Sequence, residues 1–274
     1  MILIVASNKD VASQNIAKQI LDHYPFEKTA SEFQHNPVCE LSIKGKKIEI
    51  VTLNEEPVYA QNLVSSFADV ELVVFISRHS SLTGTPTLSV HTPGNLGEAE
   101  LGGVSRLVSV SPANSMRDAL KAMVRLKNEM QLSYEVSYEG THHGPSLDVP
   151  TMFTELGSTL EQWKDTRAAE AVAYATMETV SNFGSLPAKA VLGLGGPHYN
   201  GKFTRIALEK KVAFGHMIPK YAFPYVDLEV LRMCLRRTLE KVEAVILDWK
   251  GIRGEHKPKL TEMLKELGVP FEKV

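Results

Sequence analysis

The segment ELVVFISRHSS, residues 71–81, joins an apolar run directly to a group of polar side chains. Its first seven residues have the near-continuous hydrophobicity of a strand that is buried on both faces of a sheet. ILIVAS at 2–7 has the same character, and other short apolar runs alternate with amphipathic stretches along the chain. This alternation predicts an α/β fold with a mixed, largely parallel sheet.

The same patterns place the individual elements. Strands are expected at 2–7, 38–43, 47–53, 71–77, 87–95, 105–111, 132–140, 151–155, 188–196, 212–216 and 243–249. Helices are expected at 11–24, 57–67, 112–131, 158–180, 202–210, 227–241 and 258–267. Without an evident linker or internal repeat, the simplest organisation is one domain over residues 1–274.

Composition narrows the class of protein. Hydrophobic residues make up 43% and charged residues 23% of the 274 residues, which excludes a disordered or coiled-coil chain. MILIVASNKD is expected to begin a buried strand and not a signal peptide, and no apolar stretch reaches the roughly 20 residues of a membrane span. Cys39 and Cys234 form no CxxC motif, so we expect a cytoplasmic protein with reduced thiols and no membrane or obligate protein partner.

Charge is unevenly distributed. The formal net charge is −2, yet residues 201–274 hold 15 Lys and Arg against 10 Asp and Glu. This basic C-terminal third has two interpretations. It could face a polyanion such as the end of an RNA, or it could consist of helix faces with solvated lysines.

Histidines recur where predicted strands end. In an open α/β sheet, ligands bind beyond the carboxyl ends of the strands, so side chains at these positions can converge. Each histidine alone could instead be an ordinary hydrogen-bonded residue. The residues in question are His79, His142, His143, His198 and His216.

The pair His142-His143 is followed by Gly144-Pro145. Adjacent side chains of a regular strand point to opposite faces, so both rings reach one site only if the chain turns here. Glu155, which closes the next apolar run, could accept a proton or bind a metal, or it could be attracted to a helix N-terminus. We take His142, His143, Glu155 and His198 as the candidate catalytic group.

A metal centre in this chain would use histidine and carboxylate ligands, because the cysteines are badly placed. Zinc accepts such donors and, with an open position, lowers the pKa of bound water towards about 7. No HExxH motif is present. The candidate ligands are His79, His142, His143, Glu155, His198 and His216.

Other motifs suggest how a substrate could be held. Arg78, Ser80 and Ser81 combine a guanidinium with hydroxyls that can bind a phosphate or carboxylate. Gly195-Gly196 would let the backbone pass close to a substrate and leave Tyr199 exposed, although GLGGPHY lacks a phosphate-binding GxGxxG pattern. No GxSxG elbow of a serine hydrolase is present.

In combination, SRHSS, EGTHHGP, FTELGST, GLGGPHY and FGHM resemble the archaeal and plant type of D-aminoacyl-tRNA deacylase over essentially the whole chain. The resemblance implies hydrolysis of the ester that joins a D-amino acid to the 3′ end of tRNA. It also implies dependence on zinc and a three-layer α/β/α fold similar to nucleoside phosphorylases and peptidyl-tRNA hydrolases. The basic third, including Lys202, Arg205, Arg236 and Arg237, then becomes the candidate surface for the tRNA acceptor end.

Three alternatives stay open at this point. A nucleoside phosphorylase or a zinc exopeptidase could be built on a related sheet, and a non-catalytic RNA-binding module could carry structural histidines. A phosphorylase would require phosphate, an exopeptidase would cleave peptides, and a binding module would have no activity to lose on histidine substitution.

Overall fold

The strands and helices alternate along the chain in the computed structural model, which describes residues 1–185 and 187–274. The strands are β1 (Ile2–Ser7), β2 (Glu27–Phe33), β3 (Asn36–Ile43), β4 (Lys46–Leu53), β5 (Leu72–Ser80), β6 (Thr87–His91), β7 (Glu135–Tyr138), β8 (Thr151–Ser158), β9 (Lys189–Leu194), β10 (Val212–Ile218), β11 (Val242–Leu247) and β12 (Phe271–Lys273). The helices are α1 (Val11–His23), α2 (Ala113–Glu129), α3 (Leu160–Trp163), α4 (Thr166–Asn182), α5 (Gly201–Glu209), α6 (Leu228–Arg236) and α7 (Lys257–Glu266).

These strands form two sheets. The larger has the order β2-β3-β4-β1-β5-β8-β6-β7, and the smaller has the order β10-β9-β11-β12. All pairs in the smaller sheet are parallel. In the larger sheet β1 pairs in parallel with β4 and β5, whereas β6 is antiparallel to β8. The predicted α/β class with a mixed, largely parallel sheet is therefore confirmed.

Alternation along the strands divides the large sheet into two buried faces. Val74 and Ile76 of β5 belong to the same hydrophobic cluster as residues of α1, α2 and α4. Val73 and Phe75 face the other way and pack with Leu63, which lies in a short helical turn. Each fully buried side chain of this size contributes about 1.5–3 kcal/mol, so both faces favour the fold.

Helix α2 connects the two sheets through one continuous core. Its Met116 and Leu120 share a cluster with Val90 of β6 and with Val191 and Phe214 of the smaller sheet. The opposite face of the smaller sheet is covered by residues of α6 and α7. Helices thus flank this sheet on both sides, as a three-layer arrangement requires.

Three predicted elements are wrong. Residues 105–111 form isolated bridges to Gly94, Pro150 and Thr238 instead of a strand. Their apolar side chains are buried or half-buried between these neighbouring segments, which produces the same sequence pattern as a strand. Residues 57–67 form two 3₁₀ turns, Pro57–Tyr59 and Leu63–Ser66, and not one helix. The helix expected at 158–180 is divided into α3 and α4, because the Asp165 carboxylate caps a new N-terminus.

Two edge strands, β2 and β12, were not predicted, since their mostly exposed side chains lack an apolar pattern. Among the helices formed by the described residues, none combines the length and hydrophobicity that a membrane span requires.

Candidate active site

A cleft of about 520 Å³ lies over one face of the large sheet, where β5 and β8 run side by side. In the cross-strand register, Ser77 of β5 and Ser89 of β6 flank Glu155 of β8. Because side chains alternate between faces, His79 and His91 share the face of Glu155. All five side chains are buried, so the sheet presents a row of polar groups at the base of the cleft.

The position of the cleft differs from the prediction. We expected a site beyond the carboxyl ends of parallel strands, but β6 is antiparallel to β8. The ends of β6 and β7 therefore reach the cleft from the direction opposite to β5. The site lies on the face of the sheet and not beyond one edge.

Gly157 makes room for His79, its partner in the β5–β8 register. A Cβ atom at Gly157 would lie 2.6 Å from the His79 Cβ and 2.5 Å from its carbonyl oxygen. We expect Gly157→Ala to lower the free energy of unfolding by about 1–3 kcal/mol, as overpacking does, with a loss of activity. Urea unfolding checks this, and Gly201→Ala is the control because nothing lies within 4 Å of its added methyl group. Unchanged stability of Gly157→Ala would contradict the steric argument.

His79 lies between two buried carboxylates. Its Nδ1 is 3.1 Å from Glu139 Oε1, without the alignment of a good hydrogen bond, and 3.7 Å from Glu155 Oε2. Burial lowers the pKa of His79, but the two carboxylates outweigh it and raise the pKa to about 10. The ring is therefore an imidazolium at neutral pH.

The two carboxyl groups have different environments. Burial, together with the nearby Glu139 charge, raises the pKa of Glu155 to about 7, and the Ser77 hydroxyl donates to its Oε1 at 2.6 Å. Burial raises the pKa of Glu139, but the hydrogen bond with His198 and the nearby positive charge of His79 outweigh it and hold the pKa of this carboxyl well below the usual range. Glu139 is thus a carboxylate at neutral pH, whereas the Glu155 carboxyl titrates near pH 7.

The predicted turn after β7 does bring both adjacent histidines to one site. His143 has a left-handed φ of +41°, and the centroids of the two rings are 4.2 Å apart. His142 Nδ1 donates to the Gly140 carbonyl at 2.9 Å, and His143 Nδ1 donates to the Gly144 carbonyl at 2.7 Å. These bonds fix the tautomer in which each Nε2 carries a free lone pair.

His91 packs against this pair. Its ring centroid is 4.4 Å from that of His142 and 5.0 Å from that of His143, and its ring stacks on Phe153. The ring is fully buried, and neither nitrogen has a hydrogen-bond partner among the described residues. Burial lowers the pKa of all three imidazoles, to about 4 for His143, so the rings are neutral.

Neutral imidazoles with free nitrogens are what zinc requires, so the donor set fits a metal. His91, His142 and His143 each offer a ring nitrogen within 4.8 Å of the others. Two carboxylate-containing groups meet the same criterion, Glu139 with His142 and His198, and His79 with Glu139 and Glu155. The first group fits best because its buried His91 nitrogens have no hydrogen-bond partner among the described residues, and the nearest of their carboxylate oxygens, Glu155 Oε2, lies 4.0 Å from Nδ1.

His198 connects the buried carboxylate to the outer wall of the cleft. Its Nε2 lies 2.9 Å from Glu139 Oε2, and its Nδ1 lies 3.0 Å from the Tyr221 hydroxyl. Tyr199, also predicted as a site residue, places its hydroxyl 3.0 Å from His79 Nε2. Glu139 is 1% exposed, whereas His142 and His198 are 26% and 24% exposed, so the two imidazoles meet a ligand first.

The predicted anion-binding group is only partly available. Arg78 lines the cleft, but its Nη2 is 3.0 Å from Glu56 Oε2. Ser80 lines the cleft with its side chain exposed. Ser81 lies outside the lining, and its hydroxyl is 3.0 Å from that of Thr83. An anion at this position would compete with an existing ion pair.

His216 is separated from the cluster. It is fully buried, its Nδ1 is 3.2 Å from the Thr141 hydroxyl, and its Nε2 donates to the Arg237 carbonyl at 3.0 Å. Both ring nitrogens are therefore occupied, and the residue ties β10 to α6. A position at a strand end did not distinguish it from the other histidines.

Gly195 and Gly196 also serve packing. A Cβ at Gly195 would lie 2.7 Å from Ile252, and one at Gly196 would lie 2.8 Å from the Asp248 carboxylate. Both residues have positive φ, +100° and +78°, which favours glycine. They bring the chain close to residues 248–252 and do not line the cleft.

Two of the predicted RNA-binding cations have partners within the chain. Lys202 forms an ion pair with Asp248, and Arg237 donates to the Leu147 carbonyl and pairs with Asp148 at 2.8 Å. These contacts stabilise the fold and leave less charge for a ligand. The other two predicted residues, Arg205 and Arg236, are exposed.

Sequence reasoning missed two central residues, Glu139 and His91. Each lies at or just after the end of a strand, and each contacts a predicted site residue, Glu139 at His198 and His91 at His142. Glu139 immediately precedes Gly140 in an alternating YEVSYEG pattern, where an acidic residue is typical of a solvated face. His91 lies inside TLSVHTPGN, which was predicted as one strand over 87–95. Because β6 ends at His91, this residue is a strand-end histidine like the others, and a shorter predicted strand would have identified it.

Comparison with known proteins identifies the family of this chain. A family model described as D-aminoacyl-tRNA deacylase matches residues 66–272. A D-aminoacyl-tRNA deacylase of Pyrococcus abyssi is 38% identical over 280 residues, with all of both chains covered, and that of Methanosarcina mazei is 34% identical over 98% of this chain and 90% of its own. A crystal structure of a conserved protein of unknown function is similar, with a TM-score of 0.88 and 32% identity over 100% of this chain and 95% of its own. This chain therefore belongs to the D-aminoacyl-tRNA deacylase family.

Proposed function

We propose that this chain hydrolyses the ester bond of D-aminoacyl-tRNA in the cytoplasm and releases free tRNA and a D-amino acid. Membership of the family supports the substrate class. The observation that carries the chemistry is the buried Glu139 carboxylate behind the exposed rings of His142 and His198 in one cleft. The free thiols of Cys39 and Cys234 fit a reducing compartment.

We further propose zinc as the cofactor, held by His91, His142 and His143. The free Nε2 positions of the pair and the unpartnered nitrogens of His91 support this choice. When bound, the ion would polarise the ester carbonyl and lower the pKa of water. Of the other predicted ligands, His79, Glu155 and His198 lie behind or beside this triad, and His216 lies apart from it.

The Glu139–His198 pair would act as the general base that takes a proton from the attacking water. Glu139 Oε2 accepts the Nε2 proton of His198, which leaves Nδ1 as the basic atom facing the Tyr221 hydroxyl. A proton taken at Nδ1 creates an imidazolium, and the buried carboxylate stabilises that charge. The same proton can then pass to the leaving 3′ oxygen of the ribose.

The cleft is asymmetric, which provides a basis for chiral selection. Val58, Leu101 and Phe153 form an apolar part of its lining, and the histidines form a polar part. An ester whose carbonyl lies at the histidines can direct its side chain to the apolar wall in only one configuration. The cleft would therefore discriminate between the D and L esters, and membership of the family favours the D ester.

The experiment combines metal removal with a chiral pair of substrates. We expect the protein to release D-tyrosine from D-tyrosyl-tRNA, to lose that activity after chelation and to regain it with Zn²⁺. L-tyrosyl-tRNA should stay intact. Full turnover of the chelated protein would exclude zinc, equal turnover of the L ester would exclude chiral selection, and phosphate-dependent cleavage of nucleosides would favour a phosphorylase.

A further inference from the structure

A second pocket, of about 470 Å³, is lined by Tyr221 and neighbouring residues. Its lining includes the basic side chains of Lys220, Lys250, Arg253 and His256. All four lie within residues 201–274, the basic third predicted from the sequence to face the tRNA. The Lys220 and Lys250 ammonium groups and the Arg253 guanidinium give this concave surface a positive potential that attracts an anion.

These cations are mostly unengaged. Among the contacts of the described residues, neither the Lys220 nor the Lys250 ammonium group makes an ion pair or a hydrogen bond. Glu255 is the only carboxylate among the described residues that lies within 4 Å of Arg253 or His256, at 3.9 and 3.5 Å. The situation contrasts with Lys202 and Arg237, whose charges are neutralised by aspartates.

The fold explains why the lysines meet. Strands β10 and β11 are both parallel to β9, so their carboxyl ends lie at the same end of the smaller sheet. Lys220 follows the end of β10, and Lys250 follows the end of β11. The turn at Gly196, whose carbonyl accepts the Lys220 backbone N–H, brings the loop after β9 to the same place.

Tyr221 connects the basic pocket with the proposed active site. This residue lines the basic pocket, and its hydroxyl contacts His198 Nδ1. Tyr221 is 54% exposed, so its ring is accessible to a ligand. Tyr221 thus lies between His198, which lines the cleft, and the lysines of the basic pocket.

We infer that the basic pocket binds phosphates of the single-stranded 3′ end of tRNA. The inference rests on the proposed function, because the esterified ribose must lie in the cleft for the preceding phosphates to reach the lysines. Exposed aromatic rings stack bases, and lysines around a groove bind the backbone of a single strand without reading its sequence. The pocket therefore supplies affinity for the RNA and takes no part in the bond cleavage.

The chain provides a matched pair of variants for the test. Lys220 and Lys250 follow β10 and β11, whereas Lys211 and Lys241 directly precede the same strands. All four side chains are exposed. At about 3.3 Å per residue, the two pairs lie roughly 20 Å apart along the strands. The first double variant, the 220/250 variant, is Lys220→Ala with Lys250→Ala. The second, the 211/241 variant, is Lys211→Ala with Lys241→Ala. The two variants thus remove the same charge from opposite ends of the sheet.

The measurement compares two D-tyrosyl esters, one of full tRNA and one of adenosine, which has no phosphate. For the 220/250 variant we expect KM for D-tyrosyl-tRNA to rise about 20-fold at 0.1 M salt, with kcat unchanged. The slope of log KM against log salt should flatten by about 1.4, since each single-strand phosphate contact contributes about 0.7. Cleavage of D-tyrosyl-adenosine should stay at the rate of the unmodified chain.

The outcomes separate this inference from the proposed function. If the unmodified chain cleaves D-tyrosyl-tRNA but the 220/250 variant keeps its KM and salt slope, the pocket does not bind RNA. If both double variants raise KM equally, the increase comes from the loss of overall positive charge, and the basic pocket is not a specific binding site. If the unmodified chain cleaves neither ester, the proposed function itself fails.

Discussion

Glu139→Gln should reduce kcat for D-tyrosyl-tRNA by about 10²- to 10⁴-fold, the range that a positioned acid–base group contributes. The amide keeps the shape of the side chain, but it removes the negative charge 2.9 Å from His198 Nε2. The imidazolium that forms during proton transfer then loses its stabilising partner. The fold should persist, because His79 retains Glu155 as a second carboxylate.

A structural carboxylate provides the control. Glu240 accepts the backbone N–H groups of Ala113 and Asn114 at the start of α2, at 3.0 and 2.9 Å. Glu240→Gln should lower the free energy of unfolding by about 0.3–1 kcal/mol through the helix dipole and leave kcat unchanged. If Glu139→Gln behaves in the same way, Glu139 has no part in the chemistry.

A double substitution tests whether Glu139 and His198 act as one unit. Residues that work together in catalysis show strongly non-additive effects. We expect His198→Asn with Glu139→Gln to be no slower than His198→Asn alone. A double variant whose loss equals the product of the single losses would assign the two residues to separate steps.

The fold was predictable where burial alone determines the pattern. The apolar runs of β1 and β5 required a strand covered on both faces, and the periodicity of α2 required a helix with one buried side. The pattern failed at 105–111, because an irregular segment that bridges several neighbours is buried just as a strand is. It also failed at β2, whose seven residues are exposed or half-buried and carry no hydrophobic signal.

The site was predictable in part, for a related reason. Strand ends identify side chains that are free of the apolar core, and this placed His79, His142 and His198 in one cleft. It could not separate His216, whose position along the chain is equivalent but whose partners come from distant segments. Partners of this kind, such as Asp248 for Lys202, are set by tertiary packing and leave no local pattern.

His91→Phe distinguishes a metal ligand from a buried aromatic residue. The His91 ring stacks on Phe153 with a centroid distance of 4.9 Å and an interplanar angle of 13°, a geometry that phenylalanine can reproduce. Because both His91 nitrogens lack partners, an apolar ring relieves a desolvation cost of about 1–3 kcal/mol. We therefore expect the metal-free variant to be at least as stable as the metal-free parent chain.

With zinc present, the parent chain should be more stable than His91→Phe. The parent chain gains about 2.7 kcal/mol when free Zn²⁺ reaches 100 times its dissociation constant, whereas His91→Phe should gain far less. Its zinc affinity should fall at least 10- to 100-fold, the loss that follows removal of even an outer partner of a metal ligand. Thermal unfolding with and without Zn²⁺ and direct measurement of bound metal check both expectations.

His91→Leu repeats the test if phenylalanine is too large for the site, and His35→Asn is the control. His35 is exposed with a φ of +62°, which asparagine also tolerates, so this substitution should change neither the zinc content nor the stability. If His91→Phe binds zinc as the parent chain does, His91 is a packing residue. The metal would then be bound by one of the carboxylate-containing groups around Glu139. His142 would in that case be a ligand together with Glu139 and His198, or would not be a ligand.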